Sequence, residues 1–269
     1  MQTDDRDPNA YYQSKLGVAF YDLFSGAAPP AKGDVDFYAE CAREFGDRVL
    51  ELATGTGRVL WALARAGFEA VGIDASDAML ELARAKASSE TPGTRSRVRF
   101  LQMDMTSFDL DQSFRLAIVP FRAFQHLTLP DQQRQALRCV HRSLKAGGHF
   151  VIDVFDPRLE YCAPGAASPN PERRLKDPRS GHTVVRRVLE RVNDPVRQLV
   201  TETFRIDELD ERGATIASEE SSWTLRWSTR QEMRYLFELT GFEVVAEYSD
   251  FFRAPPAYGK EQLWVLRKI

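Results

Sequence analysis

A chain of 269 residues has room for one generous domain, or for one domain carrying a sizeable insertion. With 43% hydrophobic and 28% charged residues it holds enough apolar material for a substantial core. A net charge of −3 supplies no global basic field for nucleic acid. The arginine-rich stretches 134–142 and 173–191 are interleaved with acids and apolar residues, as on a solvated face. Residues 1–9 are polar and acidic, unlike a secretory leader, and no run approaches the roughly 18 apolar residues of a membrane span. Cys41, Cys139 and Cys162 are too few and too scattered for a disulfide framework or a zinc site, and read as reduced, buried thiols of a cytoplasmic protein.

Residues 49–53 form an apolar run that ends in a glycine-rich turn, followed by an apolar-periodic segment over 59–66: strand, loop, helix. Gly67 closes this helix, and residues 69–73 give a second strand ending at Asp74. Ser76 is placed to cap a helix over 78–87. A polar loop, 88–96, leads to a third strand at 98–102, ending near Asp104. A fourth strand spans 114–120, a helix 130–143, and a fifth strand 150–155 after the Ala146-Gly147-Gly148 turn. Strands alternating with helices, each strand nearly continuous in apolar residues, predict a parallel sheet buried on both faces. After Pro157 the pattern changes to strand-like alternation over 183–192, 198–207 and 216–226, separated by turn sequences. A helix at 229–240, closed by Gly241, and strands at 242–247 and 262–267 complete the chain. The fold expected is a Rossmann-like seven-stranded doubly wound sheet, its last strand antiparallel, with an antiparallel β insertion.

The chemistry concentrates in Glu51-Leu52-Ala53-Thr54-Gly55-Thr56-Gly57-Arg58. Glycines at the end of a first strand let a ligand approach the backbone at the mouth of the sheet. A dinucleotide fingerprint needs a third glycine where Leu60 stands, and a pyrophosphate gains nothing beside Glu51. An ammonium group does gain there, which argues for a ligand carrying a cationic amino acid moiety.

On these residues, 48–156 resembles the class I S-adenosylmethionine-dependent methyltransferase family, with Ala53 where the motif usually has its first glycine. The resemblance implies that Glu51, Ala53, Gly55, Thr56, Gly57 and Arg58 surround S-adenosyl-L-methionine. It also implies that Asp74, flanked by Ala75 and Met79, holds the ribose hydroxyls, and that Asp104 takes the adenine amino group beside Met105. Leu144-Lys145-Ala146-Gly147-Gly148 resembles the turn before the family's fifth strand. The resemblance also puts Pro120 among the residues around the cofactor, and the acceptor then sits above strands four and five, where Arg122 and His126 lie. His126 is read either as the base that takes the acceptor's proton or as a packing residue. Arg122 is read either as a clamp on a substrate anion or as a structural ion-pair partner.

Aromatic residues within 11–24 suggest a helical lid, and Tyr21-Asp22 resembles a pair in which the Tyr approaches cofactor or acceptor; a plain amphipathic helix is the other reading. The insertion is similar to the antiparallel layer of amino-sugar N,N-dimethyltransferases, where such a layer covers the acceptor pocket. Trp223 and Trp227 line that pocket or serve as core. The expected organisation is a lid segment at 1–45, a cofactor domain at 46–157 with 228–269, and the insertion at 158–227. The expected activity is methyl transfer to a nitrogen or oxygen of a small molecule, without metal, nucleic acid or membrane, with a homodimer through the insertion open. An NAD(P)-dependent oxidoreductase and a non-catalytic cofactor-binding module are the alternatives.

Overall fold

The computed structural model describes residues 10–28, 32–46, 48–111 and 113–269, so the acidic stretch 1–9 lies outside the described residues. In chain order the strands are β1 (Arg48–Leu52), β2 (Glu69–Asp74), β3 (Val98–Gln102), β4 (Phe114–Val119), β5 (Leu144–Phe155), β6 (Glu172–Lys176), β7 (Thr183–Asp194), β8 (Leu199–Leu209), β9 (Thr215–Arg226), β10 (Phe242–Tyr248) and β11 (Glu261–Lys268). The helices are α1 (Lys15–Ala19), α2 (Tyr21–Gly26), α3 (Asp34–Phe45), α4 (Arg58–Arg65), α5 (Asp77–Ala85), α6 (Pro92–Arg95), α7 (Pro130–Ser143), α8 (Leu159–Cys162) and α9 (Arg230–Leu239). The chain divides into two units: the residues up to Ala28 with Pro157–Trp227, and Pro29–Asp156 with Ser228–Ile269.

The larger unit is built on a seven-stranded sheet in the order β10-β11-β5-β4-β1-β2-β3. Neighbours from β3 to β5 are parallel, whereas β11 runs antiparallel to both β5 and β10. The strand order reverses between β1 and β4, which opens a crevice at their C-terminal ends. Alternate residues of each central strand enter different cores. Leu50 and Leu52 of β1, with Ala117 and Val119 of β4, join α7 and α9 through Leu137, Val140, Met233 and Phe237. Val49, Leu116 and Ile118 instead meet Phe37 and Tyr38 of α3 and Val59 and Leu63 of α4. Each such fully buried aliphatic side chain contributes about 1.5–3 kcal/mol, which is why these strands carry no polar alternation.

Local signals behave as their chemistry requires. The Ser76 hydroxyl accepts from Met79 N–H to start α5, and Thr229 with Glu232 forms a capping box at α9. Three elements go beyond the sequence reading. Residues 88–96 contain the short helix α6, started by Thr91 and Pro92, and β6 adds a fourth strand to the insertion. Helix α3, inside the 1–45 segment, packs with the sheet of the larger unit.

The smaller unit is a four-stranded antiparallel meander in the order β6-β7-β8-β9. One face, carrying Val184, Phe204 and Ile206, buries Tyr11, Leu16, Phe20 and Phe24 from the N-terminal helices. Trp223 stacks here, 4.8 Å from Phe204 and 5.3 Å from Tyr11 between ring centroids. The solvated-face reading of 173–191 fails at Arg186. Its guanidinium lies over Trp223, Phe24 and Phe204 at 4.8, 5.3 and 5.7 Å, because the aromatic rings offer a cation an alternative to water. Cys41, Cys139 and Cys162 are buried thiols.

Candidate active site

The loop from β1 to α4 turns on three left-handed residues: Ala53 (φ 51°), Gly55 (φ 53°) and Gly57 (φ 74°). At Gly57 a Cβ would stand 3.0 Å from Phe100 Cζ, so Phe100 would have to give by a few tenths of an ångström, and the left-handed backbone strains any L side chain there. Ala53 pays the left-handed penalty that a glycine would avoid. Leu60, which occupies the place of a third fingerprint glycine, packs against a glycine elsewhere. A Cβ on Gly72 of β2 would lie 2.8 Å from Leu60 Cδ2 and 2.8 Å from Thr54 Oγ1. Close approach of helix and sheet is thus obtained by a glycine on the strand, which the sequence reading did not single out.

Glu51, on the last turnward residues of β1, is buried, and its Oε2 has no hydrogen-bond partner among the described residues. Burial pushes its pKa up to about 8, opposed by the Arg58 guanidinium. An unpartnered carboxylate oxygen of this kind fits the ammonium of an amino acid moiety and repels a pyrophosphate. Asp74, at the end of β2, accepts Gly55 N–H at 2.7 Å through Oδ2 and Ser76 N–H at 2.8 Å through Oδ1. Burial raises its pKa while these amides hold it down. Each oxygen keeps a second lone pair with which to accept from a diol. Asp104, after β3, is exposed, and its Oδ1 accepts from the amide and hydroxyl of Thr106 at 2.7 Å each. Met105 is half-buried against the core, and Met79 is buried under the start of α5. The Thr56 carbonyl accepts from Lys86 Nζ at 2.9 Å, and the Ala75 carbonyl from Gln102 Nε2 at 3.3 Å. Arg58 is turned to structure: it grips the fully buried Asp34 with two hydrogen bonds, 2.9 and 2.5 Å, and lies over the Phe121 ring.

On the acceptor side β4 ends at the buried Pro120, and the chain then turns through Phe121 (φ 60°) and Arg122 (φ 62°). Asp153 of β5, fully buried, receives both of their amides, Phe121 N–H at 2.8 Å and Arg122 N–H at 2.9 Å, together with the Tyr38 hydroxyl at 2.5 Å. A turn at Ala123–His126 follows, and within it the Gln125 side chain accepts Phe155 N–H at 2.9 Å. Arg122 takes the structural one of its two readings. Its guanidinium makes a two-pronged pair with Glu261 and stacks on Phe155. Burial pulls the His126 pKa down to about 4, so the ring is neutral at pH 7. Tyr21 belongs to the smaller unit, where it neighbours Tyr11 and Tyr12. Asp34 and Asp153 were missed from sequence; a lone acid inside Phe150-Val151-Ile152-Asp153-Val154-Phe155, a run buried on both faces, was the available signal.

This sheet order, with a left-handed glycine loop and carboxylates at the ends of β1 and β2, defines a Rossmann-like protein that binds a nucleoside carrying a cationic amino acid. Residues 49–148 match the family model described as a methyltransferase domain. The chain is 26% identical over 266 residues to the cypemycin N-terminal methyltransferase of a Streptomyces species, covering 97% of this chain and 99% of that one. It is 33% identical over 152 residues to an uncharacterized methyltransferase of Oceanobacillus iheyensis, covering 51% and 67%. It spans less than half the length of several further curated methyltransferases. Among solved structures it resembles the CcbJ methyltransferase of Streptomyces caelestis, with a TM-score of 0.77, 23% identity and coverage of 97% and 99%. A second is CalS10 of Micromonospora echinaspora, an amino pentose methyltransferase solved with S-adenosylmethionine bound, at a TM-score of 0.67, 23% identity and coverage of 95% and 98%. The chain belongs to the S-adenosyl-L-methionine-dependent methyltransferase family.

Proposed function

We propose that this chain moves the methyl group of S-adenosyl-L-methionine onto an amine nitrogen of a small-molecule acceptor. The observation that carries the choice of nitrogen is the neutral His126 just past β4. With a pKa near 4 it is a weak base, unsuited to drawing a proton from a hydroxyl but adequate for an amine that arrives uncharged. The names of two similar proteins, an N-terminal methyltransferase and an amino pentose methyltransferase, support the same chemistry. Oxygen acceptors are the competing case, and demand a stronger base.

In this proposal Glu51 anchors the cofactor's ammonium, Asp74 its ribose, and Asp104 with Met105 its adenine, while Ala53, Gly55, Thr56, Gly57, Ala75, Met79 and Pro120 form the walls. When bound, the cofactor supplies an electrophilic methyl on a sulfonium. An acceptor nitrogen would take that methyl in exchange for the methyl's bond to sulfur, and His126 would pass the nitrogen's extra proton on to water. Alignment is the main task of the protein in such a displacement. Tyr21 is retained as a candidate for handling the acceptor, and the open edge of the β insertion as the seam of a homodimer. Among the described residues no helix is long and apolar enough to cross a membrane; a cytoplasmic site of action is part of the proposal.

The test is incubation of the purified chain with methyl-labelled S-adenosylmethionine and matched pairs of small amines and alcohols, amino sugars included. Transfer to amines alone is the expected result. Transfer to the alcohols with equal efficiency would overturn the choice of nitrogen.

A further inference from the structure

The turn after β4 places two consecutive non-glycine residues, Phe121 and Arg122, in the left-handed region. Each such residue costs about 1–2 kcal/mol for an L-amino acid, and neither side chain is of the short polar kind that eases the conformation. A strained pair persists only where its surroundings over-determine it, and such pairs cluster where geometry is used. Here the determinant is one side chain. The two oxygens of Asp153 collect both amides of the strained pair, and Oδ1 also collects the Tyr38 hydroxyl. Burial pushes the Asp153 carboxyl up to about 7 against the pull of these donors, and above that pH the ionised acceptor makes each hydrogen bond about twice as strong as a neutral one. The register explains the reach: Val119 pairs with Ile152, so the chain leaving β4 curls over the next residue of β5.

Two further ties hold the same segment. Arg122 is paired to Glu261 of β11, and Gln125 to the backbone of Phe155. Four residues after the strained pair ends stands His126, so any freedom in the turn becomes displacement of the imidazole. We propose that Asp153 is the positioning residue of the acceptor loop: it holds the left-handed Phe121–Arg122 turn and thereby sets where His126 meets the acceptor. This rests on the reading of His126 as the acceptor-side base; the clamp itself is testable without an acceptor.

The first measurement is amide hydrogen exchange on the unaltered protein. The Phe121 and Arg122 amides exchange at least 100-fold more slowly than exposed loop amides; exchange at the rate of an open loop overturns the proposal. The second uses Asp153→Asn, with Tyr38→Phe as a comparator that removes the third donor to Asp153 but leaves the carboxylate and both turn amides in place. Asp153→Asn lowers kcat for the amine acceptor tenfold or more, leaves S-adenosylmethionine affinity within about twofold, and moves the His126 imidazole pKa upward toward 6.5 by NMR titration. Tyr38→Phe does none of these. A fall in kcat that tracks melting temperature equally in both variants, or a His126 titration unchanged in Asp153→Asn, would refute a positioning role. If the unaltered enzyme methylates no amine, the functional reading fails, while exchange and His126 titration still decide the clamp.

Discussion

Binding of S-adenosylmethionine should be tied to one proton, and the proton should come from Glu51. In the cofactor-free protein burial lifts this carboxyl to about 8, so at pH 6 it is protonated, whereas an ammonium partner requires the carboxylate. Ionisation of Glu51 therefore strengthens binding about tenfold from pH 6 to pH 7, and because the ligand's ammonium is itself partly lost by pH 8, the net gain from pH 6 to pH 8 is roughly 20-fold. Above pH 8 affinity falls again, because a free α-amino group loses its own proton near 7.7–8.0. The effect on the empty protein has a definite sign. The folded value is raised above the ordinary 4.5, so the stabilising contribution is complete below about pH 4.5 and is lost as pH climbs toward 8. Between pH 6 and pH 8 that loss is about 2 kcal/mol. Calorimetric titration in phosphate and in Tris, whose ionisation enthalpies differ, counts the released proton directly; denaturant melts at the two pH values measure the stability change. Glu51→Gln should flatten the acid limb, weaken binding at pH 8, and yet melt higher than the parent protein there. Constant affinity from pH 6 to pH 8 with no proton released would refute the assignment of Glu51 to the ammonium.

Ala53→Gly should raise stability by a few tenths to about 1 kcal/mol in urea melts, since relief of a left-handed alanine exceeds the added chain entropy by roughly that much; a loss of stability would mean that the Ala53 side chain packs. Gly72→Ala should cost about 1–3 kcal/mol, because overpacking against Leu60 and Thr54 has no easy outlet, and circular dichroism melts measure it. His126→Asn should reduce kcat about 100-fold or more with cofactor affinity intact. With both substrates saturating, the unaltered enzyme should show no acid limb from His126 between pH 6 and pH 8, as the ring is already neutral there.

Periodicity and strand-end chemistry carried the reading of the sheet, because Val49–Leu52 and Phe114–Val119 are apolar on both faces for one physical reason, burial between two helix layers. The proposed cofactor residues were read in the same way, because Glu51, Gly55, Gly57 and Asp74 are local to strand ends. What was illegible depends on partners far along the chain. Arg58 finds Asp34 from 24 residues away, and Arg122 finds Glu261 from 139 away, so no window around either arginine reveals that it is already paired. Asp153 is of the same kind, its meaning fixed only when β4 and β5 lie side by side. Gly72 shows a different limit. The spacing argument looked for close packing on the helix, at position 60, while the chain achieves it from the strand.

The division of the smaller unit between the two ends of a long intervening stretch has a consequence for biosynthesis. Tyr11, Phe20 and Phe24 leave the ribosome early, yet the strand residues that cover them, Val184, Phe204 and Ile206, are made only after the β1–β5 segment. At roughly 5–20 residues per second the wait is on the order of 10–40 s. During that interval the nascent chain displays an aromatic, helix-prone segment with no surface to close on. Circular permutation that opens the chain ahead of α3 and carries this segment behind β11 should therefore raise the soluble yield at high expression, without altering the finished molecule's chemistry.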